Sequence, residues 1–148
     1  MSGAAGSAGA GNGGGSQPVG IVLVSHSSAV ATAVAELARG LAGGGDLAPV
    51  LPAGGTPDGG LGTSSELICA AAKGVDRGAG VAILVDLGSA VLTVKALLAE
   101  GDDLPESSRL VDAPFVEGAV AALVTASAGG DLDAVAAAAS EAYAYRKE

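Results

Sequence analysis

Short apolar runs alternate with longer stretches of helical periodicity along this chain. Val19 to Val24 is β-branched, too short for a buried helix, and bounded by Pro18 and Ser25. It predicts a strand buried on both faces, as in a parallel sheet. From Ser28 the apolar positions recur at helical spacing: Val30, Val34, Leu37 and Leu41, with Ala33 and Ala38 filling the same face. Gly43, Gly44 and Gly45 end that helix. Leu47 to Ala53 predicts a second strand, and Pro49 and Pro52 assign it to a sheet edge. A glycine-rich loop from Gly54 to Gly62 follows. Its length and composition suit a binding loop better than a plain connector. It leads into Thr63-Ser64-Ser65-Glu66, whose spacing predicts a capping box with Thr63 as N-cap. The helix it opens runs to Lys73.

Gly80 to Val85 predicts a third strand, ending in Asp86-Leu87-Gly88-Ser89. Val91, Leu92, Val94, Leu97 and Leu98 mark the next helix, stopped by Gly101. Arg109 to Val111 predicts a short fourth strand ending at Asp112-Ala113-Pro114. Phe115 to Ala126 and Leu132 to Arg146 are the closing helices, the second capped by Asp131. Alternating strands and helices predict an α/β fold, a three-layer α/β/α domain around a four-stranded parallel sheet. Right-handed crossovers give the order 2-1-3-4. The switch point then falls between strands 1 and 3, where such sheets collect ligands at their carboxyl ends. The turns Ser25-His26-Ser27 and Asp86-Leu87-Gly88-Ser89 meet there, and the glycine-rich loop borders them.

Composition narrows the picture. Residues 1–17 hold only small or uncharged residues after the initial Met and read as a disordered Gly/Ala/Ser-rich leader. Residues 18–148 are the folded domain. The net charge of −9 and a pI near 4.3 argue against nucleic acid or an anionic membrane as the main partner. The single cysteine, Cys69, excludes an internal disulfide, fits a cytoplasmic protein, and reads as a small core residue. No basic residue precedes the first apolar run, so it lacks the pattern of a secretory signal. Ser25 to Ser28 interrupt that run, so it predicts no membrane span.

The candidate chemistry centres on His26, the one histidine of the chain. It stands at a strand end beside a helix N-terminus, whose free amides favour anions. Asp86 can orient one imidazole nitrogen and leave the other nucleophilic. Ser25, Ser27, Ser28, Thr63, Ser64, Gly88 and Ser89 can cradle a phosphoryl group. Each also has a structural reading: His26 as an ordinary surface residue, Asp86 as a turn cap, the hydroxyls as helix caps. No G-x-x-x-x-G-K-[ST] loop, no G-x-G-x-x-G after a strand and no G-x-S-x-G elbow occurs. One histidine without a cysteine cluster predicts no transition-metal site and no cofactor. Two functions stay open on these residues. One is a phosphoryl carrier; the other is a non-catalytic, flavodoxin-like module that binds an anion or serves regulation.

Four motifs in order then resemble a known family: Gly20 to Ser27 (GIVLVSHS), Gly54-Gly55-Thr56 with Gly62-Thr63-Ser64, Val85 to Ala90 (VDLGSA), and Ala113 to Gly118 (APFVEG). Together they resemble the phosphotransferase subunits (DhaM type) of phosphoenolpyruvate-dependent dihydroxyacetone kinase, which belong with the mannose-type EIIA domains. The resemblance runs from Val19 to Lys147. It implies that His26 accepts a phosphoryl group from the phosphocarrier HPr. His26 then passes the group to ADP on a partner kinase subunit, which works with a dihydroxyacetone-binding subunit. It implies a phosphotransferase subunit active only with its partners, Asp86 supporting His26, and a homodimer. Some relatives carry further HPr-like and enzyme-I-like domains; a chain ending at Glu148 is expected to be the single-domain form served by a separate HPr. The apolar positions Val116, Ala119, Val120, Leu123 and Val124 are the expected dimer surface.

Overall fold

The computed structural model describes residues 17–148; the leader expected over residues 1–17 lies outside the described residues except for Gln17. The elements are β1 (Gly20–Ser25), α1 (Ser28–Leu41), β2 (Val50–Gly54), α2 (Ser65–Val75), β3 (Val81–Val85), α3 (Gly88–Glu100), β4 (Ser108–Leu110), α4 (Phe115–Ser127) and α5 (Leu132–Glu141). A 3-10 turn, Ala142–Ala144, follows α5.

The four strands lie in the order β2-β1-β3-β4, with every pair parallel. This is the arrangement expected from the alternation of elements. Pro52 sits opposite Leu23 on the edge strand β2, where its missing N–H costs no ladder bond on the open side. Strand parity divides the core in two. Ile21, Leu23, Ala82 and Leu84 face α1, α4 and α5, while Val22, Val24, Val81 and Ile83 face α2 and α3. All six residues of β1 are buried, as a central parallel strand requires.

Four expectations are corrected. On α1 the buried face is Ala31, Val34, Ala35 and Ala38, while Val30, Leu37 and Leu41 are exposed. Small residues line the closest contact because they let the helix approach the sheet and α4; the bulkier residues flank that contact. The cap of α2 is Ser64, whose Oγ accepts the Leu67 amide at 3.2 Å; Thr63 lies outside the helix. On α4, Ala119 and Leu123 belong to the core, Val120 is half-buried against it, and only Val116 and Val124 are exposed. The last helix ends at Glu141, not Arg146. Asp131 does cap it, accepting the Ala134 amide at 2.9 Å. Cys69 is half-buried against the α2–α3 side of the core, and burial pushes its thiol up.

Candidate active site

β1 and β3 deliver their last residues side by side, and the ladder continues into the turns. The Asp86 amide donates to the Val24 carbonyl at 3.1 Å, and the Gly55 amide to the Ser25 carbonyl at 3.0 Å. Gly62 closes the third side, its amide donating to the His26 carbonyl at 2.9 Å. Backbone bonds from three segments therefore hold the histidine turn in place. Gly54 makes the closest glycine approach to the histidine turn. A Cβ there would lie 2.4 Å from the Ser27 carbonyl oxygen and 2.7 Å from Ser28 Cα.

Asp86 is the hub. Its Oδ1 lies 3.0 Å from His26 Nδ1 and accepts the Leu87 amide at 2.7 Å. Its Oδ2 accepts the Ser25 hydroxyl at 2.8 Å and the His26 amide at 3.1 Å. Partial burial pushes this carboxyl up. The bonds from the His26 amide, Ser25, the imidazole and the Leu87 amide outweigh it and hold Asp86 below the usual carboxylate range. With Nδ1 facing a carboxylate, the neutral ring carries its proton on that nitrogen. Nε2 meets the hydroxyl of Ser89 in the first turn of α3. About a quarter of the imidazole, 26%, is exposed.

The other expected phosphoryl ligands divide. Ser25 is buried beneath Asp86, and its oxygen accepts the Ser27 amide at 3.1 Å, so it faces the carboxylate and not the open side. Ser27 caps α1 through the Val30 amide at 3.2 Å, and Ser64 caps α2. Ser28 is exposed in the first turn of α1, and Gly88 is exposed at the start of α3. Thr63 Oγ1 lies 3.1 Å from Thr93 Oγ1, and Thr93 donates to the Ser89 carbonyl at 3.2 Å. Thr93 thus ties the loop to the helix that carries Ser89; its i+4 spacing from Ser89 was the only sequence signal for it. The glycine-rich loop is braced internally. The Gly60 amide bonds both Asp58 Oδ1 and Thr56 Oγ1 at 3.0 Å, and Thr56 also bonds Asp58. Among the described residues no three His, Cys, Asp or Glu side chains cluster to hold a metal ion. No helix among them is long and apolar enough to cross a membrane.

A histidine with one nitrogen held by a carboxylate and the other beside an exposed hydroxyl has the chemistry of a nucleophile. The model of the mannose-type EIIA family, described as the PTS system fructose IIA component, matches residues 20–136. The chain belongs to this family. Among curated relatives it is 37% identical over 119 residues to the phosphoryl donor subunit DhaM of PEP-dependent dihydroxyacetone kinase from Pantoea ananatis. That match covers 79% of this chain and 25% of the relative. The corresponding subunit of dihydroxyacetone kinase 2 from Listeria innocua is 36% identical over 107 residues, covering 72% of this chain and 84% of the relative. The chain thus spans about a quarter of the Pantoea relative and most of the Listeria one. A crystal structure of a protein of unknown function superposes with a TM-score of 0.73 at 32% identity, over 84% of this chain and 95% of that one. These likenesses agree with the fold and with the family resemblance read from the four motifs.

Proposed function

We propose that this chain is the phosphoryl-donor subunit of a PEP-dependent dihydroxyacetone kinase, and that His26 Nε2 carries the phosphoryl group. The observation that carries the reading is the split imidazole: Nδ1 bonded to Asp86, Nε2 outward beside Ser89. The Nε2 lone pair attacks phosphorus of the donor's phosphohistidine. The new N–P bond forms as the donor's N–P bond breaks, and the donor imidazole keeps the electron pair. Nδ1 keeps its proton, and Asp86 balances the positive charge the ring gains. Ser89 turns its hydroxyl from Nε2 to a phosphoryl oxygen. The N-cap of α3, Leu87, offers no side-chain cap, so the first amides of the helix, from Gly88 on, are free to help. The reverse attack, by a β-phosphate oxygen of ADP held on the kinase subunit, returns the ring to its starting state.

The donor in this reading is HPr, the acceptor the ADP-binding subunit working with the dihydroxyacetone-binding subunit, and the compartment the cytoplasm. The chain acts as a homodimer. Its surface in this reading is the groove between α1 and α4, bordered by exposed Leu37 and Leu41 on α1 and exposed Val116 and Val124 on α4. On α4, Gly118 faces Ala139 of α5, and Thr125 lies beside Gly130 in the loop before α5.

The test is incubation with phosphoenolpyruvate, enzyme I and HPr, followed by mass. The protein should gain one acid-labile, alkali-stable phosphoryl group and lose it to ADP only when the kinase subunit is present. His26→Ala should fold and gain none. A His26→Ala variant that still relays phosphate would overturn the reading.

A further inference from the structure

A helical threonine commonly turns its hydroxyl back to the carbonyl four residues earlier, and Thr93 on α3 does so with Ser89 at 3.2 Å. The same oxygen is engaged a second time. Thr63, at the end of the glycine-rich loop, has its own Oγ1 3.1 Å away. A hydroxyl has one hydrogen to donate. Thr93 directs its hydrogen to the Ser89 carbonyl, so Thr63 is the donor between the two threonines. The bonds run in one direction, from Thr63 to Thr93 to the backbone of Ser89.

These contacts close a circuit on the histidine. The Gly62 amide holds the His26 carbonyl at 2.9 Å, and Thr63 is the next residue. Thr63 reaches Thr93, Thr93 reaches Ser89, and the Ser89 hydroxyl meets His26 Nε2. One chain of contacts therefore begins on the main chain of His26 and ends on its outer nitrogen. Both threonines are half-buried, where water competes less for their hydroxyls. α3 itself enters from Asp86 with no side-chain cap. The Leu87 carbonyl takes the Ala90 amide, while the Gly88 and Ser89 amides have no acceptor among the described residues. Thr93, one turn on, supplies the tie between this end of the helix and the loop.

We propose that Thr93, with Thr63, is a positioning residue for phosphoryl transfer. The pair sets Ser89 and the open amides of α3 against His26 Nε2 before a donor arrives. Neither threonine touches the transferred group. The inference rests on His26 being the carrier. Donors fixed in advance stabilise developing charge without rearranging during the step, and small misplacements of such groups slow it. Without the tie, loop and helix shift independently and Ser89 loses its alignment with Nε2.

The test uses the full chain. Thr93→Val and Thr63→Val cut the contact from opposite sides and keep a β-branched side chain; Thr93→Ser keeps the hydroxyl. Single-turnover phosphorylation of His26 is followed by mass with two donors, phospho-HPr and the small donor phosphoramidate. Each valine variant should lose about tenfold in maximal rate with both donors, a partial misplacement with the Asp86 contact intact. The phospho-HPr concentration that half-saturates the rate should stay the same. Thr93→Ser should restore most of the rate. Thr63→Val/Thr93→Val should be no slower than either single variant, because all three lack the same contact. The Nε2 nitrogen chemical shift should move in the valine variants while the Nδ1 shift stays. Valine variants with the wild-type maximal rate would overturn the positioning role. So would a loss confined to half-saturation, a slow Thr93→Ser, or losses that multiply in the double variant. Unfolding of both valine variants by circular dichroism would make the contact structural and overturn the role as well. A wild-type protein that takes phosphate from neither donor would overturn the carrier reading itself.

Discussion

Asp86 Oδ1 stands 3.0 Å from His26 Nδ1, across 60 residues of sequence, and the same carboxylate also takes the His26 amide. One side chain therefore orients the ring and the backbone that carries it. Asp86→Asn keeps the size of the side chain and removes the charge. The fold should survive, and phosphoryl transfer from HPr should slow by about a hundredfold, the scale of a lost positioning partner. The ring tautomer, read from nitrogen chemical shifts, should move away from Nδ1–H. Unchanged transfer would mean that the carboxylate only anchors the turn.

Ser25 shows why the carboxylate can stay put. It is buried, donates to Asp86 Oδ2 at 2.8 Å and accepts the Ser27 amide at 3.1 Å. Ser25→Ala removes both bonds and leaves a carboxylate oxygen less satisfied. Denaturant unfolding should show a loss of about 2 kcal/mol, the range for a hydrogen bond to a charged group. The transfer rate should fall less than in Asp86→Asn, because the imidazole contact remains.

The pH dependence has a definite sign. Asp86 is held below the usual carboxylate range in the folded protein. A depressed carboxylate binds fewer protons folded than unfolded, so its stabilisation is present above the ordinary carboxylate value and is lost as pH falls through the folded one. Wild type and Asp86→Asn, unfolded by urea at pH 7 and again near pH 3, should differ more at pH 7. A gap that stays constant between the two conditions would contradict this.

Sheet order and the pairing of the two turns were legible in the sequence because strand ends and helix starts carry strong local signals. The side-chain direction at each end was not. Ser25 belongs to β1, opposite Gly54, so its hydroxyl lies buried where a surface turn would have exposed it. The α2 cap lies one residue beyond the expected Thr63 because Thr63 and Ser64 are chemically equivalent at that position. Only the contact with Thr93 separates them. The buried face of α1 differs from the sequence pattern because hydrophobicity ranks Leu37 above Ala35, whereas close packing favours the smaller residue.

Gly54 and Gly40 make a contrast in glycine chemistry. At Gly54 a Cβ would press on the Ser27 carbonyl, which already accepts the first helical bond of α1 from Ala31 at 3.1 Å. Gly54→Ala should cost about 2 kcal/mol through overpacking, and it should also slow transfer because His26 is the neighbouring residue. Gly40 lies inside α1 with nothing within 4 Å of a new Cβ. Gly40→Ala should stabilise by about 0.5–1 kcal/mol and leave transfer unchanged. Urea midpoints and single-turnover rates for the pair check both signs.

Association through the α1–α4 groove should strengthen as salt rises. α4 carries one charged residue, Glu117, among its 13 residues, and its Val116, Val120 and Val124 stripe is uncharged. Val124 is 45% exposed, and across the groove Leu37 is 44% and Leu41 61% exposed. Burying this apolar face against its copy is favourable by area, while the net charge of −9 on each chain opposes association at long range. Added salt screens that repulsion and leaves apolar burial intact, so the dimer should tighten as salt rises. Sedimentation at micromolar concentration should show a dimer, and Leu37→Glu/Val124→Glu should be a folded monomer by sedimentation and circular dichroism. A wild-type protein that sediments only as a monomer would remove the groove as an interface, and so would a double variant that remains dimeric.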